Sequence, residues 1–119
     1  MIYLIARVII YNIDVNGVEG YIGEPNPKSK IYLNSYPNPF NNKSQIKYSI
    51  REYSTIEINI YNIYGQLVRT LFEGNKEPGQ YAVSWNGSDR RNKKMPNGIY
   101  IVKLKSNRQT ITNKLILIK

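Results

Sequence analysis

Nucleophilic and general-base chemistry usually rests on histidine or cysteine, and this 119-residue chain contains neither. A Ser–His–Asp or Cys–His arrangement, a thiolate or imidazole zinc site and a disulfide framework are therefore excluded. Carboxylates remain. Glu57 falls in a run of strictly alternating residues, and Glu73 and Glu77 flank Lys76 in a stretch of turn-forming composition, so no two acids are set as an acid–base pair. The segment Trp85-Asn-Gly-Ser-Asp89 offers oxygens from Asn86, Ser88 and Asp89. Calcium sites gather several acidic oxygens, whereas this single acid is followed by Arg90, Arg91, Lys93 and Lys94. A polar hairpin connection is the expected role of this stretch, with no metal, no cofactor and no catalysis.

The chain does carry charge. Its formal net charge is +9, and the distribution is uneven. Residues 1–89 hold eight bases and eight acids, which cancel, while residues 90–119 hold nine bases and no acid. A one-sided field of this kind draws anionic partners. Nucleic acid is not the expected one, because a single-strand groove needs interleaved aromatics and Tyr100 stands alone among these bases. Solvated charge on an outer sheet face is the simpler expectation, with Lys103 and Lys105 on one face of a strand.

Elements that position these groups follow from punctuation and period. Gly, Pro, Asn and Ser recur every 8–12 residues or so, and no stretch shows the 3.6-residue apolar period of a long helix. The expected fold is an all-β, antiparallel β-sandwich of about seven strands, preceded by a β-hairpin. Residues 2–12 and 18–22 read as that hairpin around Asp14-Val-Asn-Gly17. The apolar start is too short to span a bilayer, so no membrane insertion is expected. Pro25 and Pro27 mark residues 23–30 as a linker, which divides the chain into an upstream remnant (1–30) and a main domain (31–119).

Seven strands are expected in the main domain, over 31–36, 44–50, 55–62, 66–72, 80–85, 98–106 and 109–118. Ile46, Tyr48, Ile58, Ile60, Val83, Trp85, Tyr100, Val102 and Leu104 should form the core by their alternation. Glu73–Gly79 reads as a turn. In Tyr36-Pro-Asn-Pro-Phe40, the two prolines stiffen a corner that Tyr36 and Phe40 should pin to the sandwich. Lys114-Leu-Ile-Leu-Ile-Lys119 breaks the alternation, so this strand should be covered on both faces or await a partner.

Taken in order, several of these segments resemble a known family. They are Tyr36-Pro-Asn-Pro-Phe-Asn41, Gln45–Ile50, Ile60-Tyr-Asn-Ile-Tyr-Gly-Gln-Leu-Val-Arg69, Pro78–Tyr81, Trp85–Asp89, Asn97–Tyr100 and Lys114–Lys119. Together they are similar to the type A C-terminal sorting domain of type IX secretion cargo, and to the immunoglobulin-like domain of flagellar hook-capping proteins. Two departures stand out: Asn86 where the family often has Asp, and Asn92 where a nearby Gly is usual. Asn tolerates positive φ, so the turn should survive.

The resemblance implies an immunoglobulin-like sandwich acting as a non-enzymatic secretion signal. On that basis the partners are the type IX machinery, its surface protease and an upstream cargo domain. The destination is the surface or exterior of a Gram-negative bacterium, reached through the periplasm, and the signal is removed on arrival. Tyr36, Pro37, Asn38, Pro39, Phe40, Asn41, Gly65, Trp85, Gly87, Asp89, Gly98 and Tyr100 carry the family motif. Lys114, Leu115, Ile116, Leu117, Ile118 and Lys119 form the element expected to be recognised, by strand pairing. The alternative is a structural or adhesive immunoglobulin-like module of an extracellular or flagellar assembly.

Overall fold

The computed structural model describes residues 32–107 and 109–119. The expected hairpin and linker at 1–30 lie outside the described residues. Seven strands form: β1 (Leu33–Tyr36), β2 (Ser44–Ile50), β3 (Ser54–Tyr61), β4 (Leu67–Lys76), β5 (Gly79–Trp85), β6 (Gly98–Lys105) and β7 (Thr110–Leu117). They make two antiparallel sheets, one in the order β1-β2-β5 and the other in the order β4-β3-β6-β7. This is the expected immunoglobulin-like sandwich.

Alternating β-branched and aromatic residues turn one side of each sheet inward, where the two faces share a core. Ile46 and Tyr48 from β2 meet Ile58 and Ile60 from β3 and Val102 and Leu104 from β6. Trp85 and Tyr100 complete the set, all buried as the alternation predicts. Val83 differs: it packs against the core but stays partly exposed, because β5 is the edge strand of the smaller sheet.

Two strand expectations need correction. β4 does not stop at Phe72. Its pairing with β3 continues through Glu57↔Glu73 to Ser54↔Lys76, leaving only Glu77 and Pro78 between β4 and β5. Gly74 and Asn75, residues of turn type, are held in the ladder by the length of β3 opposite them. The β7 run also keeps its alternation in space. Leu115 and Leu117 are buried, Ile116 is half-buried opposite Ile99, and Ile118 is 52 % exposed.

Register sorts the connections between two ends of the sandwich. Ser44↔Trp85, Tyr61↔Leu67 and Gly98↔Leu117 lie at one end, with the connections 37–43, 62–66 and 86–97 and the tail 118–119. Ile50↔Gly79, Ser54↔Lys76 and Lys105↔Thr110 lie at the other, with 51–53, 77–78 and 106–109.

Candidate recognition site

The residues of the sequence motif gather at the first of these ends, around β7. Proline removes a backbone donor, so the segment after β1 cannot continue as an ordinary ladder strand. Both of its X-Pro peptides, Tyr36-Pro37 and Asn38-Pro39, are cis. The Ser44 hydroxyl holds the corner by donating to the Pro37 carbonyl at 2.8 Å.

The chain then runs beside β7 and takes up its outer edge. Asn38 Nδ2 donates to the Lys114 carbonyl at 2.9 Å, and Asn38 Oδ1 accepts from the Ile116 amide at 3.0 Å. The Phe40 amide donates to the Ile116 carbonyl and the Phe40 carbonyl accepts from the Ile118 amide, each at 2.9 Å. A parallel bridge pairs Phe40 with Leu117. Closer to β1, Asn113 Nδ2 donates to the Leu33 carbonyl. The outer edge of β7 from Lys114 to Ile118 is thus engaged within the molecule. Strand pairing, the mode expected from the sequence, does not fit this edge, because residues 38–40 already occupy it.

Below this clamp lies an aromatic cluster. The Phe40 and Trp85 rings are 5.6 Å apart at 56°, and Trp85 meets Tyr100 at 5.2 Å and 66°, an edge-to-face geometry. Trp85 Nε1 donates to the Ser88 carbonyl at 2.8 Å and the Tyr100 hydroxyl to the Pro96 carbonyl at 2.6 Å, so neither polar tip is stranded. Burial pushes the Tyr100 hydroxyl above the usual tyrosine range. Gly87 has φ 81°, and a Cβ there would lie 3.3 Å from Leu117 Cδ2 and 3.8 Å from Phe40 Cε2. Glycine is required twice over, for its backbone and for the space.

Residues 86–97 form an ordered loop. Asn86 Oδ1 accepts from the Ser88 amide and hydroxyl. Asp89 Oδ1 accepts from the Arg91 amide at 2.8 Å and the Lys93 amide at 3.0 Å. Those two bonds, that from Lys93 foremost, hold the Asp89 carboxyl below the usual carboxylate range. Asn92 takes φ 66°, as the replacement of a usual glycine implies. Arg69 of β4 fastens the loop from the side: its Nη1 donates to the Asp89 carbonyl at 2.6 Å and to Asn92 Oδ1 at 3.2 Å.

The other motif positions fall at the same end. Gly65, with φ 81°, closes the β3–β4 turn and donates to the Asn62 carbonyl at 3.0 Å. Gly98 opens β6 opposite Leu117. Pro37, Asn38, Pro39 and Asn41 are exposed around buried Phe40. Tyr36 does not pin the corner as expected. It is 81 % exposed, because the buried contact falls to Phe40 alone.

Lys114 and Lys119 are both exposed, and Lys119 is anchored: its amide donates to Asn97 Oδ1 at 3.1 Å and its Nζ to the Met95 carbonyl at 2.9 Å. Asn62, Arg69, Met95 and Asn97 were not singled out from the sequence. Asn62, Arg69 and Asn97 lie in segments that carry the family resemblance, and Met95 in a turn, but nothing in the sequence said that they meet in space.

Residues 41–110 match the FlgD Ig-like domain family. The chain belongs to that family. The matched segment lies between the two halves of the clamp, Asn38 and Phe40 before it and Lys114–Ile118 after it. No curated protein matches the chain. Among solved structures it is similar to dimeric latent PorU from Porphyromonas gingivalis, with a TM-score of 0.60 and 16 % identity over 72 % of this chain and 9 % of that one. A second is PorZ of the same bacterium, described as an essential surface component of its type IX secretion system. Its TM-score is 0.48, with 15 % identity over 73 % of this chain and 11 % of that one. The likeness to PorU is one of fold. The chain spans about a tenth of the length of either protein.

Proposed function

We propose that residues 31–119 act as a non-enzymatic address that directs a larger cargo protein through the type IX secretion machinery. A surface protease removes the address on arrival and leaves the cargo on the bacterial surface or released from it. One observation carries this reading. Asn38 and Phe40 of the Tyr36–Asn41 motif are spent on presenting Lys114–Ile118, while Trp85, Gly87 and Tyr100 build the floor beneath them. A motif that fixes the last strand fits an element that is read from outside. With the β7 edge engaged, recognition reads the exposed side chains of Lys114, Ile118 and Lys119.

The fold shared with PorU fits a domain carried on a longer protein, since this chain covers 9 % of that one. Among the described residues no helix is long and apolar enough to cross a membrane. Family membership favours one other reading, a structural immunoglobulin-like module of an extracellular or flagellar assembly.

The two readings part in a reporter experiment. A fluorescent protein with its own signal peptide is fused ahead of the full chain and produced in a bacterium that has a type IX system. The address reading expects surface or extracellular reporter, trapped in the periplasm when the machinery is deleted. Reporter that stays in the periplasm of both strains contradicts it and leaves the structural module.

A further inference from the structure

A two-part cleft opens at the same end, between the β3–β4 turn and the 86–97 loop. One part, of about 290 Å³, is lined by Ile63, Tyr64, Met95, Pro96 and Ile99 among others. The other, of about 310 Å³, is lined by Leu67, Val68, Arg90 and Arg91 together with Gln66 and Asp89. Asn62 and Met95 line both parts, so the two lie side by side. Apolar side chains stand uncovered on its walls, with Tyr64 82 % and Ile63 64 % exposed. Isolated exposed apolar residues mean little, but several around one concavity mark a binding groove.

The charge around the cleft selects its occupant. Arg90, Arg91, Lys93, Lys94, Lys114 and Lys119 belong to this end of the sandwich. Asp89 is the one acid on the cleft walls, and its Oδ1 is already engaged by two backbone amides of its own loop. The other described acids, Glu52, Glu57, Glu73 and Glu77, lie toward the opposite end. The arginines do not hang on a slack loop. Arg69 fastens the turn that carries them, and the Arg90 amide donates to the Val68 carbonyl at 3.2 Å. Ordering of this kind lowers the entropy cost of binding.

We propose that this cleft binds an extended acidic segment of a partner protein. An apolar side chain of that segment fills the chamber beside Tyr64 and Met95, and adjacent carboxylates meet Arg90 and Arg91. Guanidinium groups match carboxylates through paired N–H donors. The chamber wall of Ile63, Met95, Pro96 and Ile99 suits an aliphatic or aromatic side chain better than the polar edge of a nucleobase. The inference does not rest on the export reading, since a structural module docks partners equally well.

The test uses the full chain and a fluorescein-labelled peptide of Leu-Glu-Glu repeats, followed by anisotropy. Binding is expected to fall roughly tenfold in the double variant Arg90→Gln/Arg91→Gln and by several-fold in Tyr64→Ser, with unfolding midpoints unchanged. Lys105→Gln, at the far end, should leave it intact. A Leu-Gln-Gln peptide should bind far more weakly than the acidic one. Absence of binding by the unaltered chain overturns the proposal, as does equal weakening by Lys105→Gln or equal binding of the Gln peptide. Single-stranded oligo-dT that binds as tightly, and is weakened by the same substitutions, overturns it in favour of a general polyanion site.

Discussion

The two ends of the sandwich are built on different plans. At the far end the connections are short: 51–53, 77–78 and 106–109. Ring contacts hold it, the Tyr48–Tyr81 stack at 5.6 Å and Lys76 Nζ lying 4.6 Å and 4.5 Å from the Phe72 and Tyr81 ring centres, with hydrogen bonds such as those from the Tyr81 hydroxyl to the Glu77 carbonyl at 2.7 Å and from the Thr55 amide to Asn107 Oδ1 at 3.2 Å. At the motif end the connections are 37–43, 62–66 and 86–97, and they are tied together by side-chain-to-backbone hydrogen bonds. Longer loops carry more entropy to be lost, so such an ordered set needs many fixed contacts. Function commonly resides in loops that a rigid scaffold positions. On the function proposed above, the far end closes the fold and the motif end presents a surface.

This contrast fails if the motif end is not structurally exacting. Phe40→Ala is expected to give the largest effect, a loss of about 3–5 kcal/mol, because it removes a buried ring from between Trp85 and β7. Urea unfolding measures it, with Tyr53→Ala at the far end, where Tyr53 is 59 % exposed, expected within about 0.5 kcal/mol of wild type. Gly87→Ala comes next, at roughly 1–3 kcal/mol, from its positive φ and the 3.3 Å approach to Leu117. Equal costs at the two ends would remove the distinction.

A smaller effect sharpens the role of the clamp. Asn38→Ala removes two hydrogen bonds to β7 and should cost about 1–2 kcal/mol. Hydrogen exchange should then quicken at the Ile116 amide, which donates to Asn38 Oδ1, while the Ile58 amide in the core keeps its protection. Unchanged exchange at Ile116 would show that Asn38 does not hold the strand.

Acid separates the two ends, whereas alkali reaches both. Asp89 is held below its ordinary value, so its contribution is present above that value, 3.8, and is lost as pH falls through the lower folded value. Acid should therefore speed exchange at the Arg91 and Lys93 amides before it touches the far end. Burial, and secondarily the neighbouring Tyr81, push the Tyr48 hydroxyl up to about 12. That contribution is complete below pH 10 and is lost as pH rises toward about 12. Alkali therefore reaches the far end through Tyr48 and the motif end through Tyr100, whose hydroxyl is also raised. Circular dichroism against pH follows both limbs.

Much of the fold was legible because sheet faces write a period of two into the chain. Ile46/Tyr48 and Val102/Leu104 announce their inward side without reference to any partner. The end of β4 was not legible, because Gly74 and Asn75 have turn composition and only the reach of β3 keeps them paired. The clamp was hidden for a related reason. Asn38 and Lys114 are brought together by the fold across most of the described chain, and local pattern says nothing about such a pairing. The prolines did signal a stiff corner. They led to the expectation that Tyr36 and Phe40 would both anchor it, since both are aromatic and two sides of a corner look alike in sequence, yet only Phe40 is buried.

The central claim is that the motif end exists to present the last residues to a reader. The most direct measurement compares export with folding in a single pair of substitutions, Lys114→Gln with Lys119→Gln, in the reporter fusion. Both side chains are exposed, so the melting temperature should stay within about 2 °C of wild type. The account predicts that export falls several-fold all the same, and that a bulky tag placed after Lys119 has the same effect. Export unchanged by both alterations would contradict it, and β7 would then be a closing strand that nothing reads.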